Sequence, residues 1–366
     1  MRGSAERLAA VAAAVDGGTT LPGWRLRVLD GNHLPVSEKR LAPLRGHRGA
    51  ALPGQTLVVY DPDSGLATDL VASEDAHQSE RALVAPLLDS AQPGQLWIGD
   101  RHFCTGPILQ GWDKARSGFI VREHGRHPRL VGQGAWRGCG RTETGQVREQ
   151  LIEVAGVPAP LSASLTSRRG IASRWRRIEL ALDMPTEAGE RVIRLWSNLP
   201  EEISAGQIAT LYRKRWRIEG MFQRLESVLN SEVRSLGHPR AALLSFAVAV
   251  LAYNVLALLQ RCVEQAHQDQ KPPPEVSTYH LALQIRSGYE GMLIALPPEQ
   301  WRSYDGDPSA LADRLLQLAR NVDPRQVATS KRGPKVAKPK GYVDGATARA
   351  HVATARVLAQ ARVATP

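Results

Sequence analysis

Along this chain, stretches in which apolar residues alternate with polar ones give way to stretches with helical spacing, and their order implies an architecture. After a short N-terminal helix, WRLRVLDG sets Trp24, Leu26 and Val28 against Arg25 and Arg27. That period of two predicts a half-buried strand ending at Asp30. QTLVVYDPDSG predicts a second strand, and its D-P-D-S-G a turn into a third, LATDLVAS, so the three form a meander. SERALVAPLLDSAQPG predicts a helix with Ser79 as N-cap and Pro93-Gly94 as its end. QLWIGDRHF predicts a buried strand whose end carries Asp100, GPILQGWDKARS a helix, and GFIVREH a fifth strand. Carboxylates at the ends of the first and fourth strands predict a mixed sheet with acids converging at one edge.

From about residue 125 the pattern changes to short strands broken by Gly and Pro: RLVGQ, GRTETGQVREQLIEV, RWRRIELALD and RVIRLWSNLP. This predicts a β-rich insertion over 125–203. SAGQIATLYRKRWRIEGMFQRLESVLN then runs for 27 residues without Pro behind Ser204, an N-cap type, and predicts one long helix. In the next segment, Ala241–Leu259 is long enough for a membrane span. Ser245, Tyr253 and Asn254 interrupt it, and no second span or aromatic belt accompanies it, so the reading is a helix buried in a large core. Pro272–Pro274 break the chain, a helical pair covers roughly 278–322, and a short helix ends the tail. No repeat of solenoid period is present. The segments are thus 1–23, 24–124, 125–203, 204–270, 271–324 and 325–366.

Composition narrows the class. A chain of 366 residues has room for two or three domains and a full core. Cys104, Cys139 and Cys262 are widely spaced and form no C-x-x-C, which excludes a disulfide scaffold or a zinc ribbon and fits a reducing cytoplasm. MRGSAERLAAVAAAVDGG lacks the layout of a signal peptide. A net charge of +11 calls for an acidic partner, and nucleic acid is the commonest. The charge is local: residues 325–366 carry +8, residues 111–182 carry +7, and the remainder sums to −4. Arginines with Trp136 and Trp175 interleaved suit phosphates and exposed bases, and SKRGPKVAKPK reads as a basic linker able to lie along a phosphate backbone.

Candidate chemistry rests on Asp30, Asp100 and Glu219, spaced by 70 and 119 residues. At 100° per residue, Tyr212, Arg215, Glu219 and position 226 fall at roughly 0°, 300°, 340° and 320°, a polar stripe on one helix face. A solvated face gives the same stripe, with Tyr212 packing and Arg215 pairing with Glu219 across one turn. DGNHL around Asp30, WIGDRHF around Asp100 and YRKRWRIE around Glu219, however, resemble the three catalytic segments of bacterial insertion-sequence transposases of the DDE type with a YREK signature, the insertion-sequence-four-like family. The signature asks for Tyr, two residues, Arg, three residues, Glu, six residues, Lys. This chain supplies Tyr212, Arg215 and Glu219, then Glu226 in place of Lys, with Gln223 one turn after Glu219. SNLP at 197–200, residues 236–257 and HVATARVL are also similar, so the resemblance covers about 24–360.

The resemblance implies an α/β, RNase H-like mixed sheet with helices, interrupted by the β-strand-rich insertion and followed by a helical C-terminal region. It implies that Asp30, Asp100 and Glu219 bind two Mg²⁺ ions, with Mn²⁺ as a possible substitute. Two hard cations ~4 Å apart activate the attacking oxygen and stabilise the leaving one, and such cations take carboxylate oxygens. Hydrolysis at the transposon end would give a 3′ hydroxyl, which forms a hairpin that is reopened before insertion. Tyr212 and Arg215 would hold phosphates beside the scissile bond. Trp216 would supply the platform for a flipped base, with Trp136 or Trp175 as a second. Arg122 and His124 would contact the DNA backbone, while His33 and His102 are neighbours of the aspartates. The implied partners are double-stranded DNA, both terminal inverted repeats and target, and a second copy of the chain in a synaptic complex, in the cytoplasm at the nucleoid and away from any membrane. Only 29 residues precede Asp30, where family members carry a longer DNA-recognition region, so the expectation is a chain lacking that region. A DNA-binding remnant that represses its parent element, or a stand-alone RNase H-like nuclease, are the alternatives.

Overall fold

The computed structural model describes residues 2–35, 41–44, 50–126, 128–155, 173–231, 238–295, 307–329 and 351–363. Helix α1 (Arg2–Val15) leads into β1 (Arg25–His33), β2 (Ala50–Leu52), β3 (Gln55–Asp61) and β4 (Leu66–Ser73). The expected meander is therefore present, with D-P-D-S-G as the β3–β4 turn. The helix expected after Ser79 is split at Pro86 into α2 (Glu80–Leu83) and α3 (Ala85–Asp89), and the Ser79 side chain makes no capping bond. A proline there removes a helical donor and clashes with the preceding turn. β5 (Gln95–Gly99), α4 (Gly106–Lys114) and β6 (Gly118–Arg122) follow.

The insertion forms β7 (Leu130–Gln133), β8 (Arg137–Thr142), β9 (Gly145–Val154), β10 (Ser173–Leu182) and β11 (Val192–Ser197). GRTETGQVREQLIEV is thus a hairpin, not one strand, with Thr142 opposite Gly145. A Cβ at Gly145 would fall 1.9 Å from the Ala181 carbonyl oxygen, so glycine is what lets β10 close on β9 there. All these strands join one ten-stranded mixed sheet in the order β4-β3-β1-β5-β6-β11-β10-β9-β7, with β8 on β9. The central strands β1, β5 and β6 are mutually parallel, and β11 pairs antiparallel with β6 to carry the insertion onto the same sheet. The fold is the mixed α/β architecture of the RNase H-like class.

Two apolar layers cover the sheet. On one face Leu26, Val28, Leu96, Ile98 and Ile120 pack under Ile208, Leu211, Tyr212, Ile218 and Met221 of the helices that follow β11. On the other, Trp97 and Trp112 stack at 5.5 Å, and Phe119 meets Trp175 edge-on at 5.1 Å. Trp175 is 1% exposed, with its indole N–H donating to Asp113 Oδ2 at 3.1 Å. This corrects the expectation that it stacks on DNA: as a β10 residue facing the sheet's second layer it is core.

The long apolar segment forms α7 (Pro239–Ala266), long and apolar enough to cross a membrane by length and composition. One side is buried through Phe246, Val250, Tyr253 and Leu258, but Leu244 and Val248 are exposed. The helix expected to be buried in a large core is therefore buried on one side only: among the described residues its neighbours include α1, β4, the helix Trp216–Ser227, α8 (Thr278–Ala295) and α9 (Pro308–Ala319). Asn254, read in the sequence as an interruption, is fully buried and stitches α7 to the edge strand: Oδ1 accepts from Ala67 N–H at 2.8 Å, and Nδ2 donates to the Ala67 carbonyl at 2.7 Å. At the chain end, β12 (His351–Ala353) pairs parallel with β2, and α10 (Thr354–Val363) places Arg356 on Asp75 Oδ2 at 2.6 Å. The basic linker SKRGPKVAKPK lies outside the described residues.

Replacing Asn254 with Ala strands a buried donor and a buried acceptor, each worth roughly 1–3 kcal/mol when unpaired. We expect the unfolding free energy to fall by about 3 kcal/mol, seen as a lower urea midpoint at unchanged slope; an unmoved midpoint would show the pair carries nothing.

Candidate active site

The parallel register of β1 on β5 places the first two acids. Val28 is opposite Ile98, the last pair before the strands part, and Asp30 and Asp100 each follow two residues later. Side chains alternate across a strand, so both point to the face of Val28 and Ile98, beneath the helices. Asp100 lies one residue beyond β5, but Asp30 is not at a strand end as expected. β1 continues to His33 against β3, with Asp30 opposite Val58, because the antiparallel partner outlasts the parallel one.

The third acid comes from above. Ser204 and Gln207 form a reciprocal capping box, with Gln207 N–H donating to Ser204 Oγ at 3.2 Å and Ser204 N–H to Gln207 Oε1 at 2.9 Å. The single long helix expected behind it is two, α5 (Ala205–Arg213) and α6 (Trp216–Ser227). At the joint, Lys214 and Arg215 donate to carbonyls three residues back, tightening the turn. The basic run explains the break, since its cations are drawn to separate partners. Lys214 Nζ lies 3.3 Å from Asp63 Oδ1, Arg217 donates to the Pro62 carbonyl at 2.9 Å, and Arg215 turns toward the acids.

Arg215 bridges two of the three acids, with Nη1 3.2 Å from Asp30 Oδ2 and Nη2 2.8 Å from Glu219 Oε1. Its Nε is buried without a partner. The other Asp30 oxygen accepts from Gly31 N–H at 3.0 Å, and Asp100 Oδ1 accepts from His102 N–H at 2.7 Å. Burial pushes the Asp30 carboxyl up to about 6; Arg215 opposes this, while the negative charges of Asp100 and Glu219 reinforce it. Burial also raises the Tyr212 phenol, opposed by Arg215 and Arg122. Asp100 and Glu219 thus both act electrostatically on Asp30. Among the described residues, no three His, Cys, Asp or Glu side chains are close enough to enclose an ion. The donor set nonetheless suits a hard divalent cation in its chemistry, since such cations take carboxylate oxygens.

The remaining expected residues separate into two groups. Tyr212 and Arg215 are at the site, and Trp216 beside them is 62% exposed, with the Arg215 guanidinium 5.0 Å from its ring centre. Arg122, at the end of β6, is bonded to Glu190, and His124 Nδ1 accepts from Arg126 N–H at 3.2 Å in the loop beyond. Trp136 is in the insertion, beneath the guanidinium groups of Arg148 and Arg177. Glu226 and Gln223 are exposed on α6. Three neighbours escaped the sequence reading. Glu80 lies over Gly31, where a Cβ would fall 2.2 Å from its Oε1. Arg101, adjacent to Asp100, pairs with Glu190 at 3.2 Å. Arg101 was legible as the residue after a candidate ligand, whereas Glu80 and Glu190 carry no local signal.

A mixed sheet with acids leaving adjacent parallel strands, and a third acid on the covering helix, is the arrangement of an RNase H-like fold. Residues 24–255 match the family described as the transposase DDE domain, and the chain belongs to that family. It is similar to the putative transposase InsL for insertion sequence element IS186A of Escherichia coli K12 and to the transposase for insertion sequence element IS421 of Escherichia coli. Each is 30% identical over 257 residues, 64% of this chain. The match spans 65% and 64% of those relatives' lengths, less than two thirds.

The raised Asp30 carboxyl has a signed consequence for stability. Below about pH 4 the group is protonated in folded and unfolded chains alike; between about 4 and 6 the folded chain alone keeps the proton, so stability falls as pH rises. In chelator-containing buffer, Asp30→Asn is expected to match the wild type near pH 4 and to exceed it at pH 7 by on the order of 2 kcal/mol. Denaturant titrations at both pH values check this, and equal differences at the two would sink it.

Proposed function

We propose that this protein is an insertion-sequence transposase of the YREK-signature class that cleaves DNA at the ends of its element and joins the freed strand to target DNA. The observation that carries the reading is the register Val28 opposite Ile98, which sets Asp30 and Asp100 side by side under the helix bearing Glu219, in a chain that matches the DDE family across all three. These carboxylates would hold two divalent cations, Mg²⁺ or in its place Mn²⁺, which supply an activated attacking oxygen and a stabilised leaving oxygen.

The chain's own residues supply position. Arg215 presents a planar fork suited to a phosphate as well as to the carboxylates it now holds. Tyr212, whose phenol is raised further above its ordinary range by burial, is a hydrogen-bond donor beside Arg215. The exposed ring of Trp216 is a platform for an unstacked base at a hairpin end. Arg122 and His124 extend the backbone contacts. Double-stranded terminal repeats and target are the DNA partners, and synapsis of two ends calls for a homodimer at the nucleoid. Glu226 favours a second reading, a non-cutting DNA-binding remnant, because it sets a carboxylate where the signature has lysine.

Incubating the protein and its Asp100→Ala variant with Mg²⁺ and DNA carrying the element's ends tests this. End-specific nicking, reduced at least ~1000-fold in the variant as the loss of a metal-held oxyanion implies, is expected. Nicking without end preference would make the chain a stand-alone nuclease, and binding without nicking a remnant. On the same substrate, Trp216→Ala should retain the first nick but lower hairpin formation by about tenfold, the worth of one stacked base.

A further inference from the structure

Beside Asp100 two arginines converge on one carboxylate. Arg101 Nη2 lies 3.2 Å from Glu190 Oε1, and Arg122 Nη2 holds Oε2 of the same group. One arginine follows Asp100 directly, and the other ends the neighbouring strand, where its charge acts on the Tyr212 phenol along with that of Asp100. Glu190 arrives from elsewhere, on the β10–β11 turn. That turn is closed on itself: Thr186 N–H donates to the Glu190 carbonyl at 2.9 Å, Glu190 N–H to Thr186 Oγ1 at 3.2 Å, and Gly189 takes a φ of +80°.

A carboxylate with each oxygen on a different guanidinium has the chemistry of a phosphodiester held by two arginines. The Arg122 bond, the largest cause, holds the Glu190 carboxyl below its ordinary range, so it is ionised wherever the arginines are. Side-chain exposures of 48% for Arg101 and 33% for Glu190 leave these two open to solvent, where ion pairs are weak and readily exchanged, while Arg122 at 21% is half-buried. We propose that Glu190 is an internal stand-in for a DNA backbone phosphate, occupying a two-arginine seat next to Asp100 until a phosphodiester displaces it. The proposal rests on the DNA-cutting reading and adds to it a regulated anion site contributed by the insertion. It also makes Arg101 a second phosphate ligand beside Arg122.

The test is the affinity of the full chain for a 20-base-pair duplex of arbitrary sequence at low salt. Glu190→Gln is expected to tighten binding about tenfold, and Glu190→Asp, too short to span both arginines, by less. Removing an equal charge three residues away with Glu187→Gln should change it less than twofold. Adding Arg101→Ala and Arg122→Ala to Glu190→Gln should erase the gain. An equal gain from Glu187→Gln, a gain that survives without the arginines, or none in a Glu190→Gln protein whose melting temperature matches wild type would each overturn the proposal. Nicking that depends on Asp100 but is paired with no gain in Glu190→Gln would fell this inference and leave the DNA-cutting reading standing. The arginine-dependent gain without nicking would do the reverse.

Discussion

One buried guanidinium holds the insertion to the turn that starts the α5–α6 helix pair. Arg176 on β10 is 6% exposed and donates to Glu149 Oε2 at 2.6 and 3.2 Å, to the carbonyls of Pro200 and Ile203 at 2.8 and 2.7 Å, and to that of Leu199 at 3.4 Å. A charge this far from water persists only when paired and hydrogen-bonded. Those carbonyls belong to the turn immediately before Ser204, the cap of α5. The insertion strands thus fix where the helix pair begins, and the helix pair fixes where Arg215 and Glu219 meet the sheet. Breaking such a buried pair by removing one partner costs about 3–5 kcal/mol in general. The insertion is accordingly a structural support of the site as well as a surface beside it.

The same strands change the meaning of the chain's basicity. The stretch 111–182, at +7 by sequence, spends four of its twelve arginines, Arg137, Arg148, Arg176 and Arg177, inside a cross-strand lattice. Glu149 is shared by Arg137 and Arg176, Glu179 by Arg148 and Arg194, and Glu123 takes Arg177 through two bonds. Arg148 and Arg177 further cover Trp136, which removes that ring from the free stacking platforms. A residue count treats every arginine as a potential phosphate ligand; the register of β9, β10 and β11 sets acids opposite bases and neutralises them locally. The site's own arginines differ because their acids are either catalytic candidates or on a surface turn.

What the sequence made legible follows from how local each cause is. The alternation that located β1 and the short apolar runs that located β3, β4, β5 and β6 are properties of a few neighbouring residues, and so is the N-cap residue Ser204. Asp30 and Asp100 were legible because each follows an apolar run at a turn from buried to polar. The break between α5 and α6 was not, since Lys214, Arg215 and Arg217 are good helix formers whose partners, Asp63, Asp30 and Pro62, lie about 150 residues or more away. Trp175 looked available for stacking because nothing nearby in sequence says which layer of the sheet a β10 residue faces. The exposed side of α7 escaped for the same reason: periodicity marks an apolar helix but not how many of its sides find neighbours.

The charge balance around Arg215 couples the two kinds of ligand the proposed reaction needs. Three carboxylates and one guanidinium leave the half-buried site with an excess of negative charge, which adds to the burial that pushes the Asp30 carboxyl up to about 6. Arg215 cannot serve a phosphate fully while its two Nη atoms hold Asp30 and Glu219, and those oxygens cannot serve a cation fully while they hold Arg215. Asp30 and Glu219 released from Arg215 would be free to hold a cation, and Arg215 released from them would be free to hold a phosphate. By linkage the two events favour each other by the same factor. In the proposed reaction the DNA-bound state would then be the one with the higher cation affinity, because a single arginine stands between two of the acids that would hold the ion.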